Sequence, residues 1–320
     1  MCSWSALRQA WRSYRVGKRR RPKVARFELD ADLKLLRLAH DLTGGRYRHG
    51  AYRLLRIRDP KPRLIAVAAV RDRVVHTAVY RGLAPFFNRS LIRDTYACLP
   101  GRGTLRAMWR FLEYMRRYPF LLHLDIQNYF AEVDHICLAG LIKPRLRDAR
   151  VAGLVDEILR SGGQLYRRPE VRAFFRLPSA PEAVRTQGLP IGNLTSQWWG
   201  NLYLNGLDHF IKRNLGVRGY LRYQDDFVCF GERAKDLRQW RGEIGDWLWR
   251  ERRLRLNRRK GQVRSTGLPQ TFLGYRVRRE GWDVAGKVYR RFRRRLPHLI
   301  EGDPERLYRS LAAWRGIFAR

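Results

Sequence analysis

Cysteine is scarce in this chain. Cys2, Cys98, Cys137 and Cys229 are the only four in 320 residues, and no two stand at CxxC spacing. Neither a disulfide framework nor a zinc finger is indicated. The seven histidines show no HExxH or finger spacing. No apolar run approaches the ~18 residues of a membrane span, so no membrane partner is expected. The N-terminus carries Arg and Trp where a secretory signal is apolar. A reducing cytoplasm is the expected location. Internal repeats and low-complexity linkers are missing as well. Acidic side chains are few: 29 Asp and Glu stand against 67 Lys and Arg, a net charge of +38. Self-repulsion on that scale is tolerated when a polyanion supplies the counter-charge, which makes nucleic acid the leading partner class. Charge alone leaves open an acidic-substrate enzyme or a membrane-surface protein. Only nine of the basic residues are Lys, an arginine bias shared between genome composition and contact chemistry.

What is present is a real core. Hydrophobic residues make up 45% of the chain and aromatics 12%, which excludes disorder as the main state. The length suits one large domain or two to three subdomains. Residues 1–26 are strongly basic with Trp4, Trp11 and Tyr14 interleaved, a solubilised arm or an RNA-contacting extension. Leu33, Leu36 and Leu38 suggest an amphipathic helix over 30–40, ended by Gly44-Gly45. Segments 52–58 and 63–70 read as a hairpin around Asp59-Pro60-Lys61-Pro62. Residues 72–117 look helical, with breaks near Pro85 and at 100–103. A buried strand, Phe120 to Leu124, ends on Asp125. Helices are expected over 134–160, a Pro-containing insertion over 161–186, and a helix over 196–214 capped by Ser196. Tyr220–Tyr223 and Phe227–Phe230 flank Gln224-Asp225-Asp226 as a hairpin. A helix near 234–254, a hairpin around 271–285 and a basic helical pair over 286–320 complete the pattern.

The carboxylates carry the chemistry. In so basic a chain Asp225 and Asp226 stand side by side at the tip of an apolar hairpin. Adjacent carboxylates repel, and in apolar surroundings the repulsion costs stability unless a cation relieves it. A solvated turn would explain a lone Asp-Asp pair, but both flanking strands read as buried. Asp125, at the end of its own apolar strand, is the third member. Two Mg²⁺ ions held by carboxylates of adjacent strands are what in-line nucleotidyl transfer requires.

Tyr223-Gln224-Asp225-Asp226 resembles the YxDD signature of reverse transcriptases, and Leu124-Asp125-Ile126-Gln127-Asn128-Tyr129-Phe130 resembles their first palm motif. A Gly/Ser motif at 187–197, Lys260 and Phe272-Leu273-Gly274-Tyr275 follow in the family's order. Upstream, Lys61-Pro62-Arg63 and Asp72-Arg73-Val74-Val75-His76 are similar to the fingers of bacterial, group II intron-like enzymes. The resemblance covers roughly residues 27–285. It implies an α+β right-hand polymerase: a basic extension (1–26), fingers (27–119), a first palm segment (120–140), a fingers/palm insertion (141–186), a second palm segment (187–285) and a short helical thumb (286–320). It also implies metal binding by Asp125, Asp225 and Asp226 with the Ile126 backbone carbonyl. The ions would be two Mg²⁺, with Mn²⁺ as a substitute. The dNTP site would comprise Lys61, Arg63, Arg71, Phe130, Ile191, Gly192, Gln197 and Lys260. Phe130 would be the gate that clashes with a ribose 2′-hydroxyl. Lys61, Arg63 and Arg71 would grip the triphosphate, and Lys260 would protonate or stabilise pyrophosphate. Phe272, Leu273, Gly274 and Tyr275 would form the primer grip.

Most reverse transcriptases carry Gln-Gly, three residues, then Ser-Pro at the Gly/Ser motif. Here the run is Ile191-Gly192-Asn193-Leu194-Thr195-Ser196-Gln197. That departure resembles the enzymes of diversity-generating retroelements, which misincorporate opposite template adenines, and makes Ile191 and Gln197 candidate fidelity residues. An amide punishes a misaligned pair by being left unsatisfied, and a branched alkyl group imposes no such penalty. The resemblance implies a template RNA, a cDNA or primer strand, dNTPs and a small basic helical accessory protein that forms an oligomeric barrel. About 35 residues follow the last hairpin, room for a short thumb and not for a ribonuclease H, maturase or endonuclease region. A retron-like or defence-associated reverse transcriptase of ordinary fidelity and a non-catalytic RNA-binding protein of the same fold are the alternatives.

Overall fold

The apolar stretches set the architecture. The computed structural model describes residues 1–58, 61–177 and 186–318. The chain opens on α1 (Trp4–Arg15), α2 (Pro22–Glu28) and α3 (Ala31–Thr43), followed by a hairpin of β1 (Arg53–Ile57) and β2 (Arg63–Val67). Helices α4 (Val70–Phe87) and α5 (Thr104–Arg117) lead into β3 (Phe120–Asp125). Then come α6 (Tyr129–Glu132), α7 (His135–Ile142), α8 (Ala149–Arg167), α9 (Pro169–Phe175), α10 (Leu194–Tyr203) and α11 (Asn205–His209). The hairpin β4 (Gly219–Tyr223) and β5 (Asp226–Gly231) precedes α12 (Ala234–Arg252) and β6 (Val263–Ser265). Strands β7 (Gln270–Phe272), β8 (Tyr275–Arg278) and β9 (Gly281–Val284) form a separate antiparallel sheet before α13 (Gly286–Ile300) and α14 (Pro304–Phe318). The class is α+β, as the sequence leads one to expect.

The central sheet runs β4-β5-β3-β6, every neighbour antiparallel. Side chains alternate between its faces. Leu122 and Leu124 of β3, Phe227 and Cys229 of β5 and Tyr220 of β4 join the larger core with Val75 and Val79 of α4, Trp198 and Trp199 of α10 and Leu248 of α12. Leu121, Val228, Phe230 and Leu221 face the other way, into a second core built by Phe111 and Met115 of α5 and by Phe272 and Val277. The sheet is therefore covered on both faces, which explains why its strands read as continuous apolar runs.

Several expectations need correction. The basic segment 1–26 is no detached arm: Leu7, Ala10, Trp11 and Tyr14 of α1 are buried, and Trp11 packs on Phe27 at 4.7 Å between ring centroids. A basic outer stripe concealed an amphipathic helix. In α3 the buried stripe is Leu35, Leu38 and Leu42, while Leu33 and Leu36 are 49% and 52% exposed. The helix expected to open at Ser196 begins at Leu194 after Asn193, with Ser196 buried inside it. It breaks at Leu204 before α11 and a π-turn over Phe210–Asn214. The last hairpin gains a third strand, β9. Within the expected 161–186 insertion, α8 and α9 reach residue 175; residues 178–185 lie outside the described residues, as do Asp59 and Pro60 of the first hairpin.

Candidate active site

The strand ladder brings the carboxylates together. Asp125, last residue of β3, stands opposite Asp226, first residue of β5. Directly opposed residues of an antiparallel pair project to the same face. Asp225 occupies the β4–β5 turn, entered through Gln224 at φ +58°. The Ile126 amide donates to the Asp225 carbonyl at 3.3 Å, fastening the end of β3 to that turn. Ile126 also bridges to Leu256. Both rungs of that bridge are made by neighbours, Gln127 N–H to Arg255 O and Asn257 N–H to Asp125 O, so the Ile126 carbonyl is not used in it.

A lysine spans the acids. The Lys260 Nζ lies 3.2 Å from Asp125 Oδ1 and 3.7 Å from Asp226 Oδ1. Asn257 Nδ2 donates to Asp125 Oδ2 at 2.9 Å, and the His123 ring bonds Asp226 Oδ1. Burial, reinforced by the charges of Asp125 and Asp226, pushes the Asp225 carboxyl up to about 7. Burial acts the same way on Asp226, but its bond to His123 and the charges of His123 and Lys260 outweigh it and hold that carboxyl below the usual range. For Lys260 burial favours the neutral amine, yet the two aspartates prevail and its pKa is raised.

The set of donors suits a hard divalent cation. Oxygen ligands are what Mg²⁺ and Mn²⁺ select, and an acid whose pKa is raised by burial and like charge is one that a cation would ionise. Among the described residues no group of three His, Cys, Asp or Glu side chains is gathered as a metal-binding cluster. Lys260 and His123 engage two of the three acids instead. Asp125, Asp225 and Asp226 would be the metal-holding residues.

The other expected residues fall in four places. Phe130, on α6, is half-buried against Tyr129 at 5.2 Å between centroids, and its carbonyl accepts the Leu189 N–H at 2.6 Å. The 191–197 segment lies beside the first hairpin, where the Ala66 amide of β2 donates to the Ile191 carbonyl at 2.7 Å. Gly192, at φ +116°, passes so close that a Cβ there would stand 2.9 Å from the Ala66 oxygen. Gln197 is exposed, and its carbonyl accepts from Gln224 Nε2 at 3.0 Å, tying this segment to the acidic turn. Lys61 and Arg63 are exposed on the hairpin. Arg71 stands apart from the expectation, since its guanidinium lies over the Tyr47 ring and binds Asp41 Oδ2 at 2.9 Å and the Arg48 carbonyl at 3.2 Å. In the small sheet, Phe272 stacks on Phe111 at 4.7 Å and its ring lies 5.7 Å from that of His123. Leu273 and Gly274, both at positive φ, make the two-residue turn that returns the chain to Tyr275.

Three neighbours escaped the sequence reading. His123 was within reach of it, because a residue two before Asp125 on one strand must share its face. Asn257 gave no local signal. Gln224 was read as the variable turn residue of the YQDD signature, yet its side chain reaches the Gln197 carbonyl.

Comparison with known proteins places these residues in context. Residues 57–277 match the family model described as reverse transcriptase (RNA-dependent DNA polymerase). Protein YkfC of Escherichia coli (strain K12) is 24% identical over 291 residues, covering 79% of this chain and 72% of that protein. The group II intron-encoded protein LtrA of Lactococcus lactis subsp. cremoris is 21% identical over 296 residues, covering 72% and 47%. The apo telomerase of Candida tropicalis shares the fold at a TM-score of 0.54 and 12% identity, over 75% of this chain and 49% of that one. The chain thus spans about half the length of LtrA and of that telomerase.

Proposed function

The chain belongs to the reverse transcriptase family, and from that premise we propose that it copies a template-repeat RNA into error-prone, adenine-mutated cDNA for a diversity-generating retroelement. The observation that carries the polymerase reading is Asp125 opposite Asp226 on one sheet face, with Lys260 spanning them and Asp225 beside them. Asp125, Asp225, Asp226 and the Ile126 carbonyl would hold the divalent metal, which would supply activation of a 3′-hydroxyl and charge stabilisation of the triphosphate and its leaving pyrophosphate. Lys260 keeps its proton at Nζ, its pKa raised beside the acids, and so offers a fixed positive charge to the leaving pyrophosphate. Exposed Lys61 and Arg63 offer charge to the triphosphate. Phe130 blocks the space of a 2′-hydroxyl, and Phe272 to Tyr275 hold the primer end. Residues 27–119 act as fingers, 120–140 and 187–285 as palm, 286–320 as thumb.

The mutagenic reading is supported by Ile191 and Gln197, which stand where the family carries Gln and Pro. With an alkyl group at 191 a misaligned pair leaves no buried amide unsatisfied. A structured RNA and a small basic helical barrel-forming protein complete this assignment. The exposed Arg290, Arg293 and Arg294 of α13 supply an RNA-facing surface. A primer-extension assay with wild type and Asp225→Asn tests polymerisation, and equal extension by the two discards it. Sequencing the cDNA of wild type and Ile191→Gln tests the mutagenic reading. Fewer errors opposite adenine are expected in the variant. An unmutated wild-type product would instead identify a reverse transcriptase of ordinary fidelity.

A further inference from the structure

On the sheet face opposite the carboxylates lies an ion pair that the polymerase reading leaves unused. Arg222 of β4 and Asp208 of α11 have no exposed surface. Arg222 Nε donates to Asp208 Oδ1 at 2.7 Å and Nη2 to Oδ2 at 2.6 Å. The remaining N–H groups reach Asn201 Oδ1 at 3.1 Å, the Asn201 carbonyl at 3.3 Å and the Gln224 carbonyl at 3.1 Å. All five guanidinium donors are thereby used. Asp208 is equally saturated, since Oδ1 also accepts from the Tyr220 hydroxyl at 2.7 Å and Oδ2 from Thr95 Oγ1 at 2.9 Å. The Arg222 backbone is clamped as well, donating to Asp94 O at 2.8 Å and accepting from Tyr96 N at 2.9 Å.

Such a pair is poor value as stabilisation, because desolvating two charges offsets most of their attraction and apolar replacements often do as well. What it supplies is direction. One of its bonds ends on the carbonyl of Gln224, a residue at φ +58°, where side-chain-bearing residues rarely sit. That carbonyl belongs to the Gln224–Asp225 peptide. Because a peptide unit is planar, fixing its oxygen fixes the line along which the Asp225 Cα departs. Gln224 Nε2 on the Gln197 carbonyl holds the same residue from its side chain.

We propose that Arg222, anchored by Asp208, is a positioning residue that sets the Gln224–Asp225 peptide and so aims the Asp225 carboxylate at a divalent cation. This rests on the polymerase reading. A lysine keeps the charge but has no planar fork to reach both Asp208 and the turn, so Arg222→Lys is the informative variant. Arg222→Gln/Asp208→Asn removes both charges and keeps amide hydrogen bonding. Wild type and both variants are compared by thermal melting, by Mn²⁺ binding followed by electron paramagnetic resonance, and by single-nucleotide extension over a range of dNTP. Expected for Arg222→Lys is a cooperative melt, a Mn²⁺ dissociation constant raised about fivefold or more, and kcat lowered about tenfold with dNTP KM within about twofold. Folded variants that bind Mn²⁺ and extend like wild type overturn the proposal. So does a change confined to melting temperature, or the failure of every variant to fold, either of which makes the pair a folding element. A wild type that binds Mn²⁺ without extending a primer defeats the polymerase reading, while the Mn²⁺ comparison still decides the positioning role.

Discussion

At the scale of single residues, Asp225 bears the sharpest consequences. Replacing it with Asn is expected to lower primer extension about 100-fold or more, because the proposed metal site would lose one charged ligand, measured by gel-resolved extension at saturating dNTP. A second expectation concerns stability in EDTA. The folded protein holds the Asp225 proton up to about pH 7, whereas the unfolded chain releases it near the ordinary Asp value of about 4. Between those values the folded state binds more protons, so this group's contribution makes stability fall as pH rises. Asp225→Asn removes that contribution, and its melting temperature is expected to exceed that of wild type at pH 8, by about 1 kcal/mol or more of stability. Asp226 has the opposite sign: its lowered pKa adds stability that disappears only below pH ~4. Phe130→Ala is expected to admit ribonucleotides, read as extension with rNTPs alone; continued exclusion would move the gate elsewhere.

Among elements, α1 and the 191–197 segment are the informative ones. Deleting residues 1–26 strips Leu7, Ala10, Trp11 and Tyr14 from the core. Each large apolar side chain lost costs about 2–5 kcal/mol, so the truncated chain is expected to lose its cooperative melt, not merely RNA affinity. Gly192→Ala forces a Cβ against the Ala66 carbonyl in a conformation unsuited to L residues, a strain of about 1–3 kcal/mol. A raised dNTP KM with modest loss of melting temperature is the expected signature. These cases also mark what the sequence made legible. The central strands, the three acids and most helices announced themselves through apolar runs and local punctuation. What stayed hidden was decided by contacts between distant segments. The inward face of α1 was masked by arginines, α3 buries Leu35 and Leu42 with Leu38 in place of Leu33 and Leu36, and Asn257 reaches Asp125 across 132 residues of chain. Nor did the sequence show that Arg71, read as a phosphate grip, is engaged by Asp41 of α3.

For the whole molecule, a net charge of +38 predicts RNA binding that weakens steeply with salt, log K falling linearly with log concentration. Filter binding between 50 and 400 mM KCl would measure the slope, and a flat dependence would contradict a phosphate-dominated interface. The larger lesson lies in the sheet, which separates two unequal apolar compartments. The smaller one, where Phe111, Phe230 and Phe272 meet, touches the acids' own face through His123. On the proposed primer grip, loosening the β7–β9 sheet is expected to misalign the growing strand's terminus while RNA capture, which rests on net charge, persists. Such a protein would fail quietly, as a competent binder that stalls.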